Sequence, residues 1–363
     1  MKERVFNFGA GPAMIPTDVM QLAQKDFLNF RDMGTSVIEI SHRSPQFIEI
    51  INSALARFRK LAKVPDNYHV VFSHGGARQQ FSAIPLNFLN SKPAGLGLYV
   101  ASGSFSTLAF KDAQRFGNVK LVSSSEDVKF KSLPEVSAAE IDTDASYLHL
   151  TLNNTIYGTQ WPTLPPSQGV PLIVDATSEV LSRPIDFDSI GCLYAGLQKN
   201  LGPSGLAVVA IRDDLMGHAM SHTPVLMDYG RMHQDNSLTN TINTFAVYMV
   251  DLVLGWLESR GGVAAMQEQN KLKAATLYNY LDASSFYRPY ASPECRSVMN
   301  VTFNLPQPNL ESLFVTEAES AGLYGLKGHR ALAGIRASLY NAMPMAGVEA
   351  LVSFMKAFEQ KHR

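Results

Sequence analysis

Cysteine is scarce in this chain: Cys192 and Cys295 are the only two in 363 residues. Neither stands in a paired or metal-ligand spacing, which argues against a disulfide framework and against a zinc site, and points to a reducing compartment. Charge of one sign is missing too. The 31 basic and 32 acidic side chains leave a formal net charge of -1, so no global field draws the protein to nucleic acid or an anionic membrane. Any anion specificity must be local. The apolar stretch Phe245 to Leu257 carries Asp251 and is too short to span a bilayer. At the amino end, Met1 to Pro16 breaks its apolar residues with Asn7, Gly9, Gly11 and Pro12, unlike a signal peptide. A cytoplasmic protein is expected.

What is present is the composition of an ordinary globular protein, 46% hydrophobic and 17% charged, in a chain longer than one hydrophobic core usually serves. Two packed domains are expected. Short β-branched or aromatic runs recur at His69 to Ser73, Leu98 to Ser102, Lys120 to Ser124, Tyr147 to Leu152, Pro171 to Thr177, Leu193 to Gln198 and Leu206 to Ile211. Apolar residues at helical spacing occupy Thr17 to Asn29, Pro45 to Leu61, Phe105 to Phe116, Phe245 to Ser259 and Ala264 to Leu281. This alternation predicts an α/β fold, and strands apolar on both parities predict a mostly parallel sheet with helices on two faces. Arg260-Gly261-Gly262 reads as a helix stop and restart, where a second domain begins. From about Ser284 the pattern is a small α+β unit: strand Ser297 to Phe303, helix Leu310 to Ala321, strand Ile335 to Leu339, helix Gly347 to Lys361.

Four segments could carry chemistry. In Gly196-Leu197-Gln198-Lys199-Asn200-Leu201-Gly202-Pro203, a lysine ends an apolar strand and enters a Gly- and Pro-rich loop. An arbitrary lysine is most often a solvated surface group. Here burial would favour the neutral amine, which could condense with an aldehyde. Pro171 to Thr177 ends a strongly apolar strand with Asp175. On its own such an aspartate is more often a turn or helix-cap residue, although a carboxylate there could also hold a protonated ring nitrogen. His74-Gly75-Gly76-Ala77-Arg78 runs into a helix whose first N–H groups could bind an anion. It is not the Gly-x-Gly-x-x-Gly of a dinucleotide fold, and Gly95-Leu96-Gly97 precedes a strand instead of following one. Finally, Ser41-His42-Arg43 and Lys327-Gly328-His329-Arg330 with Arg336 are basic clusters far apart in the chain. Each alone reads as an exposed polar loop; brought together, they would bind carboxylates or phosphates.

In order and spacing, these segments together with Gly11-Pro12-Ala13, Gly34-Thr35-Ser36 and Arg336-Ala337-Ser338 resemble the phosphoserine aminotransferase family, and the resemblance spans essentially the whole chain. It implies a class V, fold-type I transferase dependent on pyridoxal 5'-phosphate (PLP). The large domain would hold a mainly parallel seven-stranded sheet flanked by helices. A small α+β domain would be built from both termini, dividing the chain into 17–260 and into 1–16 with 261–363. The implied reaction converts 3-phosphohydroxypyruvate and glutamate to 3-phosphoserine and 2-oxoglutarate in serine biosynthesis. Family members also accept the 4-phosphohydroxythreonine precursor of vitamin B6. A homodimer with shared active sites is implied, with no metal, nucleic acid or membrane partner.

The resemblance also implies roles. Lys199 would form the internal Schiff base and move the proton between Cα and the C4' carbon of PLP, and Asp175 would hold the ring nitrogen. Thr155 would bond the ring hydroxyl, and Phe105 would stack on the ring where the family usually has tryptophan. Ala77, Arg78, Thr177 and Gln198 would hold the phosphate, with Asn240 and Thr241 reaching over from the partner subunit. Arg336 would take the α-carboxylate; His42, Arg43, His329 and Arg330 would take the distal anion. Two departures stand out besides Phe105: Asn240-Thr241-Ile242-Asn243 lacks the family's Pro-Pro, and Ala77 replaces a glycine of some relatives. The rival readings are an alanine-glyoxylate or serine-pyruvate type aminotransferase, which the distal His-Arg clusters disfavour, and a cysteine desulfurase, for which Cys295 lacks an activating cluster. A silent PLP-binding scaffold is the remaining alternative.

Overall fold

The computed structural model describes residues 4–363. In chain order the elements begin β1 (Phe6–Asn7), α1 (Thr17–Asp26), α2 (Pro45–Ala62), β2 (Tyr68–His74), α3 (Gly76–Phe88), β3 (Leu96–Ala101), α4 (Ser104–Ala113) and β4 (Asn118–Ser124). The middle of the chain holds β5 (Tyr147–Thr151), β6 (Asn153–Asn154), β7 (Thr159–Gln160), β8 (Leu172–Asp175), β9 (Ile190–Gly196), β10 (Leu206–Arg212), α5 (Tyr229–Gln234), α6 (Thr244–Ser259) and α7 (Gly262–Ala283). The last part holds β11 (Arg288–Pro289), β12 (Asn300–Asn304), α8 (Pro308–Ser320), β13 (Leu323–Tyr324), β14 (Ile335–Ser338) and α9 (Met345–His362).

The principal sheet has seven strands in the order β2-β10-β9-β8-β5-β3-β4, and only β10 runs against its neighbours. Its central strands β5, β8 and β9 are buried at every residue, which is why they read as continuous apolar runs. The two parities face different cores. Leu148, Leu150, Leu172, Val174, Leu193 and Ala195 pack with residues of α2 and α6 on one side. Tyr147, Ile173, Cys192 and Tyr194 pack with residues of α3, α4 and α5 on the other. A separate core gathers Phe8, Leu277, Leu281 and residues from Phe286 to Phe358 around the three-stranded sheet β11-β12-β14.

Local chemistry sets the ends of elements. Ser44 accepts from the N–H of Phe47 and Pro45 opens α2. Gly261 and Gly262, at φ +89 and +73, form the stop and restart between α6 and α7. Three expected spans are shorter or displaced. The first helix ends at Asp26 instead of Asn29, and Arg31 and Asp32 just beyond take left-handed φ of +49 and +60. The strand expected to reach Thr177 stops at Asp175, whose Oδ1 accepts from the N–H of Thr177 at 2.9 Å and turns the chain. The strand expected from Ser297 starts at Asn300, because the Ser297 hydroxyl accepts from the N–H groups of Met299 and Asn300 at 3.0 and 2.9 Å. No described helix is long and apolar enough to cross a membrane.

Candidate active site

A cavity opens beyond the carboxyl ends of the sheet's strands, where open α/β sheets place their ligands. Asp175 ends β8, Lys199 follows β9, Thr155 follows β5 through the short β6 strand, and Phe105 lies in the first turn of α4 after β3. Ala77 and Arg78 lie in the first turn of α3, directly after β2. All six line the cavity together with Thr177 and Gln198. Eight of the expected site residues therefore meet within one chain.

The amine of Lys199 donates to Thr155 Oγ1 at 2.5 Å and lies 5.4 Å from the centre of the Phe105 ring. Burial pushes its pKa down to about 8; the Asp175 carboxylate opposes that shift and the Arg336 charge adds to it. Asp175 is shifted the other way. It is 5% exposed, and burial raises its pKa against hydrogen bonds from Thr177 and the charge of Lys199. Among the described residues no ion pair joins Lys199 to Asp175, although both line one cavity. Thr177 ties the two strand ends together: its N–H donates to Asp175, and its Oγ1 accepts from the N–H of Gly196 at 3.1 Å.

Glycine is required at two points. Gly11 has φ +142, and a Cβ there would stand 3.4 Å from side-chain atoms of both Gln198 and Lys199. With Ala13 N–H donating to Gln198 O at 2.9 Å, the Gly11-Pro12-Ala13 motif is the backing of the lysine loop. Gly75, at φ +74, lets β2 turn straight into α3, so that helix begins with no side-chain cap on its first N–H groups.

These features fit PLP. An amine and an unpaired buried carboxylate face one cavity, a hydroxyl stands beside the amine, an aromatic ring sits on one wall, and an uncapped helix start supplies donors for a phosphate. The guanidinium of Arg78 is engaged elsewhere, 2.8 Å from Asp112 and over the Phe81 ring. The cavity also takes in Phe81, Thr151, Asn153 and Ser178, which were not singled out from the sequence. Asn153 Nδ2 donates to Ser178 Oγ and to Asn300 Oδ1, each at 2.8 Å, so it joins the cavity wall to β12. The polar run Asn153-Asn154-Thr155 after an apolar strand was the available signal.

The anion-recognition residues are less gathered. Arg336 lies on β14 with its Nε buried and without a hydrogen-bond partner, and burial lowers its pKa. His329 is lowered as well, by burial and then by the charges of Arg336 and Arg330. Arg330 is exposed, and so is Arg43, whose Nε donates to His42 Nε2 at 3.3 Å. Thr241 is exposed; Asn240 Oδ1 is 2.7 Å from His74 Nε2 of the same chain. Within one chain, His42, Arg43, Asn240, Thr241, His329, Arg330 and Arg336 all stand outside the cavity wall, although the Arg336 charge acts on both Lys199 and His329.

Known proteins share this arrangement. The Aminotransferase class-V family model matches residues 5–351. A phosphoserine aminotransferase of Lysinibacillus sphaericus (strain C3-41) is 46% identical over 364 residues, covering 100% of both chains. Among solved structures, a phosphoserine aminotransferase from Bacillus circulans subsp. alkalophilus matches with a TM-score of 0.95 and 43% identity over 100% of each chain. A PLP-bound phosphoserine aminotransferase from Trichomonas vaginalis matches with a TM-score of 0.91 and 36% identity, over 97% of this chain and 100% of the other. The chain belongs to the class-V aminotransferases and, within them, to the phosphoserine aminotransferase family.

Proposed function

We propose that the chain is a PLP-dependent transaminase that passes the amino group of glutamate to 3-phosphohydroxypyruvate, giving 3-phosphoserine and 2-oxoglutarate in serine biosynthesis. The observation that carries this reading is the buried amine of Lys199 sharing a cavity with an unpaired Asp175. PLP, when bound, supplies an electron sink for the charge left at the substrate's α-carbon. Lys199 would tether the cofactor's aldehyde carbon, and Asp175 would keep a proton on the ring nitrogen. Thr155 would bond the ring hydroxyl, Phe105 would cover the ring, and Ala77, Arg78, Thr177 and Gln198 would hold the phosphate. With a pKa lowered to about 8, the Lys199 amine is neutral in a usable fraction near neutral pH and can accept the α-proton of the substrate.

Arg336 takes the substrate's α-carboxylate: its buried, partnerless Nε is a donor waiting for an acceptor. His329 and Arg330, with His42 and Arg43, take the distal phosphate or γ-carboxylate, and the same cluster suits the phosphorylated hydroxythreonine precursor of vitamin B6. Arg336 acts on Lys199 and on His329 within one chain, and no such tie joins His42, Arg43, Asn240 or Thr241 to Lys199, so we assign these four to a homodimer in which each copy completes the other's site. The large domain takes residues 17–260, and the small domain takes 1–16 with 261–363. In support, a separate core joins Phe8 to residues beyond Leu277; α7 spans the junction, with Val263 and Met266 packed in the large core. Both cysteines are buried and unpaired, which suits the cytoplasm.

The test is glutamate formation from phosphoserine and 2-oxoglutarate, with unphosphorylated serine as control. Rapid turnover of phosphoserine alone supports the reading. Equal turnover of serine rejects the substrate assignment, and a colourless protein inert to both favours a scaffold.

A further inference from the structure

Lys273 lies on α7 and is 3% exposed. A buried ammonium without a carboxylate is costly unless all of its protons are bonded. Here each of the three has an acceptor: the carbonyls of Leu339, Tyr340 and Met343, at 2.9, 2.8 and 3.1 Å. All three belong to the short segment that leaves β14, the strand carrying Arg336.

That strand pairs with β12 on one side, and on the other the N–H groups of Arg336 and Ser338 donate to Leu326 O and Phe8 O at 2.9 and 3.1 Å. The Arg336 Nε has no partner of its own, so the backbone sets where the guanidinium stands, and the Lys273 bonds carry that support past the end of the strand. A second set of bonds runs from the same helix face. Asn270, one turn before Lys273, donates through Nδ2 to Asn341 Oδ1 at 2.9 Å and to Ser182 O at 3.1 Å. The Asn341 N–H donates to Asn200 Oδ1 at 3.0 Å, and Asn200 is the neighbour of Lys199. The Asn341 Nδ2 donates to Leu181 O, also at 3.0 Å. One face of α7 thus holds both the end of the Arg336 strand and, through Asn341, the loop of the reactive lysine.

We propose that Lys273 is a positioning residue for substrate binding: it clamps the backbone after β14 and thereby fixes Arg336 relative to Lys199. This rests on the reading of Arg336 as the α-carboxylate residue. A displacement of about 1 Å at a positioning group can cost a factor of about 100, so a loosened clamp has a measurable effect. The effect of losing Lys273 falls on carboxylate binding, because its three bonds go only to the segment after β14, whereas the cavity residues that hold the cofactor hang from other strands.

The test uses the holoenzyme of Lys273→Met and Asn270→Ala, with Arg336→Lys alongside. Lys273→Met is expected to raise KM for phosphoserine and 2-oxoglutarate about tenfold while kcat stays within about threefold. The absorbance of the bound cofactor should be unchanged. Asn270→Ala, which cuts the tie to Asn341 and leaves the clamp, should raise KM by about threefold; it decides the matter if Lys273→Met does not fold. Unchanged KM values in the folded variants, or a loss confined to kcat, overturn the proposal. If Arg336→Lys raises KM and neither α7 variant does, the clamp alone is wrong; if Arg336→Lys leaves KM unmoved, the reading of Arg336 falls.

Discussion

The two halves of the site are built differently. The cavity around Lys199 is walled by buried residues of one chain and held by backbone turns and buried polar bonds at the ends of fully buried strands. The proposed anion-recognition rim is a set of charges that are exposed or unpaired: among the described residues, Arg43, Arg330 and Arg336 form no ion pair with an acid. The difference follows from what each half must do. Perturbed pKa values require burial and fixed partners, whereas recognition of a visiting anion requires donors left free until the anion arrives.

That contrast can be broken from either side. The largest expected effect lies in the cavity. Asp175→Asn removes the carboxylate proposed to keep the ring nitrogen protonated, and kcat for phosphoserine should fall by about 100-fold or more while the protein still binds PLP. Retained kcat would mean that the buried carboxylate is merely a turn residue. At the rim the effect should be smaller and selective. Arg43→Ala or Arg330→Ala should lower kcat/KM for phosphoserine by about tenfold, or about 1.4 kcal/mol, with cofactor binding intact. Normal handling of phosphoserine by both variants would remove the distal cluster from the account.

A third experiment sharpens the comparison through pH. Burial lowers the Lys199 pKa to about 8 from the ordinary lysine value of 10.5, so between those pH values the unfolded chain binds the extra proton and stability rises with pH. In cofactor-free protein, Lys199→Met should therefore be more stable than the parent below pH 8, with the difference shrinking toward pH 10.5. Denaturant unfolding at both ends of that window checks this; a constant difference would contradict the buried amine. The smallest effect is at the cavity wall. Phe105→Trp should tighten PLP binding by about 0.5–1 kcal/mol, read as a lower cofactor dissociation constant, because an indole covers more of the ring. A constant that is unchanged or higher would count against stacking.

The same contrast describes what could be read from sequence. Buried strands announce themselves: β5, β8, β9 and β10 appear as apolar runs because both faces are covered, and Asp175 and Lys199 stand out as polar residues where those runs end. The helix restart at Gly261-Gly262 is legible because glycine alone accepts that backbone easily. Contacts between distant segments leave no local mark. Nothing around Gly11 says that it lies against Lys199, and Lys273 has the spacing of any surface lysine on a long helix. Ser297 to Met299 looks like strand because a hydroxyl that bonds its own backbone is invisible to hydrophobic periodicity. For the rim, two separate His-Arg pairs were readable as anion sites, but the chain itself does not bring His42 and Arg43 to its own cavity.

One measurement bears on the central claim most directly. Borohydride reduction of the purified holoenzyme followed by peptide mapping should fix the cofactor on Lys199 alone. A tag on any other lysine, or none, would contradict the account.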